Sequence, residues 1–359
     1  MEQIALSFAY RDDVEPKEWD VVFRALQRIH YSHQILVLYH TVTKRKTNAR
    51  FSTNTLEIVL DTAIQEKQYS FVDLVWSTCT SEERNRWGMS SRYAHAMIAD
   101  RRLKNARPFL QRIEREEYTI PVANSQVLQG LYEGCYYEEC VKFFNGLLPL
   151  DSTFKLLGES RGVYSALLSA YELKRYKDVL SISKIASQLQ FHPSRSVLSI
   201  LVNIYEKADF WKPEYDRRVE KLKAEGKTPT ELQLLGILAQ CRFPQLLEGS
   251  AFVCAELSAQ KKGQLIMDHN GDYALNLSKF DEPVRQLRLL GALNDIAEKQ
   301  KPGQNNVLHV KTIPNDKALS RMLRAELYPS ILCTEHANRF SIPLQSILHW
   351  KNHREDPVL

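Results

Sequence analysis

Glycine and proline are scarce in this chain, 13 and 14 in 359 residues. A β-sandwich or barrel spends such residues on many short turns, so their scarcity, beside long amphipathic stretches, favours helix. No apolar run approaches the roughly 20 residues that a membrane-spanning helix needs, which reads as a soluble or peripheral protein. The six cysteines (Cys79, Cys135, Cys140, Cys241, Cys254 and Cys333) form no CxxC pair, which argues against a zinc ribbon or a disulfide scaffold and fits a reducing compartment. The sequence also lacks a Walker loop, an HExxH pair, a nucleophile elbow and a clustered carboxylate pair. The enzyme classes built on those motifs are therefore not expected, and no cofactor or catalytic residue is assigned. His30, His33 and His40 share no helical face with a third ligand and read as surface histidines rather than a metal site. The first residues, MEQIALSFAYRDDVEPKEWD, have neither the basic start and apolar core of a secretory signal nor the Arg-rich character of a transit peptide.

What is present is apolar and charged in globular proportion, 44% hydrophobic and 25% charged, which excludes global disorder. The net charge is +5, but the first 20 residues hold six acids and two bases, a net of −4 that leaves +9 on the remainder. That balance is consistent with a polyanionic partner without demanding one.

The most informative stretch is 122–149, VANSQVLQGLYEGCYYEECVKFFNGLLP. Val127, Leu128 and Leu131 make one apolar stripe, and Cys140, Val141, Phe143 and Phe144 make a second. A tight turn at Gly134 and Cys135 closes the two into a helical hairpin, with Cys135 and Cys140 read as small packing residues. Neither stripe can be buried by the hairpin alone. With Phe144 as reference, the same pattern recurs at Tyr39, Trp76, Leu110 and Ser183, at intervals of 37, 34, 34 and 39 residues, the period of a helical repeat. Units are expected over Lys17–Lys44, Phe51–Cys79, from near Met89, over 122–149, over Gly162–Pro193 and from Arg195. Between them lies a polar connector, TSEERNRWG, and Pro108 is placed in a first helical turn. A helix over Glu231–Gln240 closes the series.

From about residue 264 the pattern changes to strand, helix, strand, helix. The segment LIMDHNGDYALNLSKF carries a turn at Asn270–Gly271, a helix follows from Glu282 to Lys301, and a Pro302–Gly303 break precedes a strand over Asn306–Ile313. A helix over Asp316–Leu327 comes next, and the order predicts a small α/β domain with a parallel strand pair. The expected organisation is an extension over 1–16, an α-solenoid of about six hairpins over 17–245, a connecting segment over 246–263 and the α/β domain over 264–359.

The hairpins resemble pentatricopeptide repeats, on the strength of their period, their tight turns and the connectors Phe191–Ser194 and Lys227–Thr230, each with Pro before a polar residue. The resemblance covers roughly residues 17–230 and implies a right-handed solenoid whose first helices line an RNA-binding groove. The C-terminal segment is similar to the small MutS-related domain. YALNLSKF stands at that family's first strand, VLHVKTIP at its second, and LSRMLRAELYPSILCTEHANRFSIPLQSILHW at its closing elements. Ser278 replaces the expected histidine there, and Lys311, Thr312, Ile313 and Pro314 replace the Gly-rich turn, so that family's nuclease chemistry is expected to be lost. The repeat resemblance places Ser91, Ser125, Ser165 and Ser199 against unpaired base edges. The same serines are also good helix N-caps. Arg92, Arg102 and Lys104 in the third unit, with Lys174, Arg175 and Lys177 in the fifth, supply positive charge for phosphates or simply a solvated surface.

Two functions stay open. One is an organellar RNA-binding protein, mitochondrial or alternatively plastid, acting in RNA metabolism or translation within a ribonucleoprotein such as a mitochondrial ribosome, among neighbouring proteins and RNA. The other is a protein scaffold with no RNA contact.

Overall fold

The computed structural model describes residues 7–8, 10–11, 14–45, 50–299 and 305–354. Most of the expected extension over 1–16, the Pro302–Gly303 break and residues 355–359 of the tail lie outside the described residues. The chain forms two compact units, Met1–Phe191 and His192–Leu359.

In the first unit five hairpins follow one another. They pair α1 (Pro16–Arg28) with α2 (Ser32–Arg45), and α3 (Thr53–Gln65) with α4 (Tyr69–Thr78). After a short α5 (Ser81–Asn85), α6 (Trp87–Ala99) pairs with α7 (Leu103–Arg115), α8 (Pro121–Glu133) with α9 (Tyr137–Leu147), and α10 (Ser160–Glu172) with α11 (Tyr176–Gln188).

Every hairpin turns in the same way. The residue after the first helix's cap is left-handed in all five: His30 (φ 57°), Lys67 (55°), Arg101 (59°), Cys135 (64°) and Lys174 (57°). In each, two amides reach back to the last helical turn, as when Lys67 N donates to Ile64 O at 2.9 Å and Gln68 N to Ala63 O at 2.8 Å. This closes the orphan carbonyls of the helix end. The five turn residues are spaced 37, 34, 34 and 39 apart in the sequence, the intervals expected from Phe144 and its counterparts. In the fourth hairpin Gly134 is the cap, and Cys135 takes the left-handed place. Gly134 is needed for another reason, since a Cβ there would stand 2.5 Å from the carbonyl oxygen of Ile98 in the preceding repeat.

Successive first helices touch one another, α1 on α3, α3 on α6, α6 on α8 and α8 on α10, which makes the unit a stack of repeats in contact with their neighbours. Its core is built from the expected stripes, with Tyr39, Val127, Leu128, Cys140 and Phe144 all buried. Phe143 lies half-buried, edge-on to Tyr118 at 5.7 Å.

The second unit opens with a sixth hairpin, α12 (Arg195–Lys207) and α13 (Lys212–Ala224), followed by α14 (Glu231–Ala259). Then come β1 (Leu265–Met267), β2 (Tyr273–Asn276), α15 (Glu282–Lys299), β3 (Val307–Lys311), α16 (Lys317–Arg321), β4 (Thr334–His336), β5 (Arg339–Pro343) and α17 (Leu344–His353). The five strands form one sheet in the order β1-β2-β3-β5-β4. β2 and β3 are parallel and joined through α15, and the remaining pairs are antiparallel. The alternation in YALN, VLHVK and RFSIP sends Tyr273, Leu275, Leu308, Val310, Phe340 and Ile342 to the buried face.

Three local expectations are corrected. The helix predicted to stop at Gln240 continues to Ala259, so residues 246–259 are helical rather than a connecting segment. Leu246, Val253 and Leu257 carry a buried stripe past Pro244 and pack on α15, which outweighs the backbone bond that Pro244 removes. Pro108 is the sixth residue of α7, beyond the first turn in which it was placed. The polar connector after α4 holds α5, started by a capping box between Thr80 and Glu83.

Candidate nucleic-acid interface

The four serines proposed for base contact all lie inside helices, so none is an N-cap. Three are buried. Ser91 donates to Gly88 O at 3.2 Å, Ser165 donates to Arg161 O at 2.9 Å, and Ser125 accepts from Gln129 Nε2 at 3.2 Å. A Cβ on Gly162 of α10 would approach Ser125 Cα of α8 to 2.8 Å, so this serine marks a close crossing of first helices. Ser91, Ser125 and Ser165 therefore present no hydroxyl to a base: all three are buried, Ser91 and Ser165 bond to carbonyls of their own helix, and Ser125 sits where two backbones meet. Ser199 is half-buried and lines a cavity of about 870 Å³ with Lys262, Lys279 and Phe280.

The arginines are likewise engaged. Arg92 Nε and Nη2 donate to Asp61 at 2.7 and 3.0 Å, Nη1 donates to Gly88 O at 2.8 Å, and Glu57 lies 3.3 Å from Nη1. Burial opposes the charge of Arg92, but the Asp61 bonds and the two carboxylates outweigh it and hold the guanidinium pKa above its ordinary value. Arg102 bridges Asp73 at 2.8 Å and Asp100 at 2.7 Å, and Arg175 holds both oxygens of Glu138 at 2.8 Å. In each case a carboxylate of the preceding repeat takes the charge, so these arginines act as clamps between repeats. Lys104 and Lys174 are exposed and have no carboxylate partner among the described residues.

Sequence reasoning named Lys174 as a source of positive charge but not Lys67 or Arg101, and did not align the three at one repeated position. Lys67, Arg101 and Lys174 occupy the left-handed position of three hairpins, each exposed and each without a carboxylate partner among the described residues. Neighbouring turns touch, as Tyr136 Oη donates to Arg101 O at 3.4 Å and Arg175 reaches Glu138. The signal that could have found this row is the recurrence of a basic residue at the same turn position in the second, third and fifth repeats.

In the second unit Ser278 forms a local turn, its Oγ donating to Asn276 Oδ1 at 2.8 Å. Thr312 is buried and donates to Asp316 Oδ2 at 2.6 Å, where Arg285 Nε also donates at 2.8 Å. These contacts position loops and leave no free acid–base pair at the two motif positions. Among the described residues no cluster of His, Cys, Asp or Glu is arranged to hold a metal, and no helix is long and apolar enough to cross a membrane. All six cysteines are free; Cys140 is buried as expected, whereas Cys135 is exposed.

No family model matches the sequence, the small MutS-related family included, and no curated protein matches it. Among solved structures, the pentatricopeptide repeat protein PPR10 from maize is 14% identical, over 82% of this chain and 44% of that one, with a TM-score of 0.26. The chain thus spans less than half the length of that protein.

Proposed function

We propose that this is a helical-repeat RNA-binding protein of an organelle, the mitochondrion before the plastid, acting in RNA metabolism or translation as a subunit of a larger ribonucleoprotein such as a mitochondrial ribosome. The observation that carries the reading is the turn row. The turns of three of the five hairpins offer Lys67, Arg101 and Lys174 at one repeated position, which His30 and Cys135 hold in the other two, and none of the three cations has a carboxylate partner among the described residues. A phosphate backbone is a ligand of matching repetition. The part of the chain resembling a small MutS-related domain contributes surface rather than catalysis, since Ser278 and Thr312 are tied into local bonds where that family's motifs would stand. RNA is held by its phosphates without a base-by-base code, because three of the four serines assigned to that code, Ser91, Ser125 and Ser165, are buried.

The test is fluorescence anisotropy of the full chain with a labelled single-stranded oligouridylate at about 50 and about 200 mM salt. Substituting Lys67→Glu, Arg101→Glu and Lys174→Glu together should weaken binding at least tenfold at low salt. It should also lower the salt slope by about 2, given roughly 0.7 per phosphate contact on a single strand. The competing reading, a protein scaffold, draws on the carboxylates that neutralise Arg92, Arg102 and Arg175. Failure of the unaltered chain to retain RNA at low salt would select it.

A further inference from the structure

One face of the five-stranded sheet is open, and two of its cross-strand rows lie side by side. In the first, Asn276 of β2 stands opposite Lys311 of β3, Lys311 opposite Arg339 of β5, and Arg339 opposite His336 of β4. All four are exposed. Two cations directly opposite each other in a sheet repel and are avoided unless something compensates. Here neither Lys311 nor Arg339 has a carboxylate partner among the described residues. Glu335, the acid on the neighbouring strand, pairs in register with buried Phe340 and is bound to Ser320 and to Arg324 at 3.0 Å, on the other face.

The second row, two residues or about 6.6 Å along the strands, runs Ile266, Ala274, His309 and Ser341. Ile266 is 61% exposed, a large apolar side chain on an edge strand. His309 is fixed between its neighbours. Arg339 Nη2 donates to Nδ1 at 2.8 Å, Ser341 Oγ lies 3.3 Å from that nitrogen, and Asp272, the acid on this face, approaches Nε2 at 4.0 Å. An apolar and imidazole row thus lies beside a cation row, at the spacing of alternate residues in a pleated sheet.

Resting on the RNA-binding reading above, we infer that this open face is a second nucleic-acid site that takes single-stranded RNA. Phosphates lie on Lys311 and Arg339, and an unpaired base covers Ile266 and the His309 ring. A duplex would satisfy the cations but hides its base faces, leaving Ile266 in water. An acidic peptide would do the same, whereas a single strand matches both rows, since a charged backbone and flat apolar rings alternate along it.

The experiment uses the full chain and the same labelled oligouridylate. The pair Lys311→Gln and Arg339→Gln should weaken binding at least fivefold and reduce the salt slope by about 1.4, the share of two phosphates. Ile266→Ser should weaken it severalfold with the slope unchanged. Circular dichroism of both variants should match the parent, because every altered side chain is exposed. Unchanged affinity in the Gln pair, in a parent chain that does bind, would overturn the sheet site and leave the turn row standing. Displacement of the RNA by oligoglutamate or by duplex RNA as efficiently as by unlabelled single strand would also overturn it. A parent chain that binds no RNA would sink the wider reading as well.

Discussion

Replacing Arg92 separates a clamp between repeats from an RNA contact. Its guanidinium makes two bonds to Asp61 and one to Gly88 O, with Glu57 at 3.3 Å. The arginine side chain is 16% exposed, Asp61 31% and Glu57 29%. Breaking a fully buried pair costs about 3–5 kcal/mol, and an exposed pair contributes about 0–1 kcal/mol. A site partly open on its acidic side falls between, at about 2–3 kcal/mol for Arg92→Gln. The change also leaves Glu57 and Asp61 as like charges four residues apart on α3, a further few tenths of a kcal/mol, on the order of 0.2–0.5. Urea unfolding measures the loss, and hydrogen exchange should place it at α3 and α6, since stacked repeats transmit strain to near neighbours first. A double-mutant cycle with Asp61→Asn should return a coupling of about 1–2 kcal/mol. RNA affinity should change less than twofold. A stability loss below about 0.5 kcal/mol, the level of an ordinary surface substitution, would refute the clamp, especially if RNA binding fell with it.

Two further outcomes follow from packing and burial. Phe144 is fully buried, so Phe144→Ala should cost about 3–5 kcal/mol by urea unfolding, whereas half-buried Phe143, with its one ring contact to Tyr118, should cost clearly less. Glu206 is buried with Oε2 unbonded, and burial raises its pKa above 4.5, Lys207 offsetting only part of that and Glu326 and Glu282 adding to it. A carboxyl whose folded pKa is raised holds its proton longer in the folded state, so its penalty is absent below about pH 4.5 and grows as pH climbs through the folded value. Glu206→Gln should therefore leave thermal stability unchanged near pH 4 and raise it near pH 8. A loss at pH 8 would show that the carboxylate is compensated.

The register of the repeats was legible because a stack must bury one stripe per helix at a fixed interval: Tyr39, Phe144 and Ser183 are buried where that interval puts them, and Trp76 and Leu110 are half-buried. The strand, helix, strand order with a parallel pair was legible for a related reason, since alternation in YALN and VLHVK marks a one-sided sheet. The serines were misread because periodicity fixes a residue's face only when neighbouring elements are known. Ser125 lies on a helix crossed closely by the next repeat at Gly162, and a small residue there suits backbone approach as well as base contact. Arg92 and Arg175 were misread because their acids, Asp61 and Glu138, lie 31 and 37 residues earlier, beyond any local pattern. The left-handed conformation at these turns was hidden because Lys67, Arg101 and Lys174 are not glycine, the usual signal for it.

We propose that RNA is held at the repeat turns and on the open sheet face by cations that have no carboxylate partner among the described residues. Photo-crosslinking of the full chain to a thiouridine-substituted single strand, with mass spectrometry of the linked peptides, tests it most directly. The account predicts linked peptides containing Lys67, Arg101 or Lys174 and peptides from β1, β3 and β5, with none confined to the buried faces of α6, α8 and α10. Crosslinks concentrated around Ser91, Ser125 and Ser165, or no crosslinks at low salt, would contradict it.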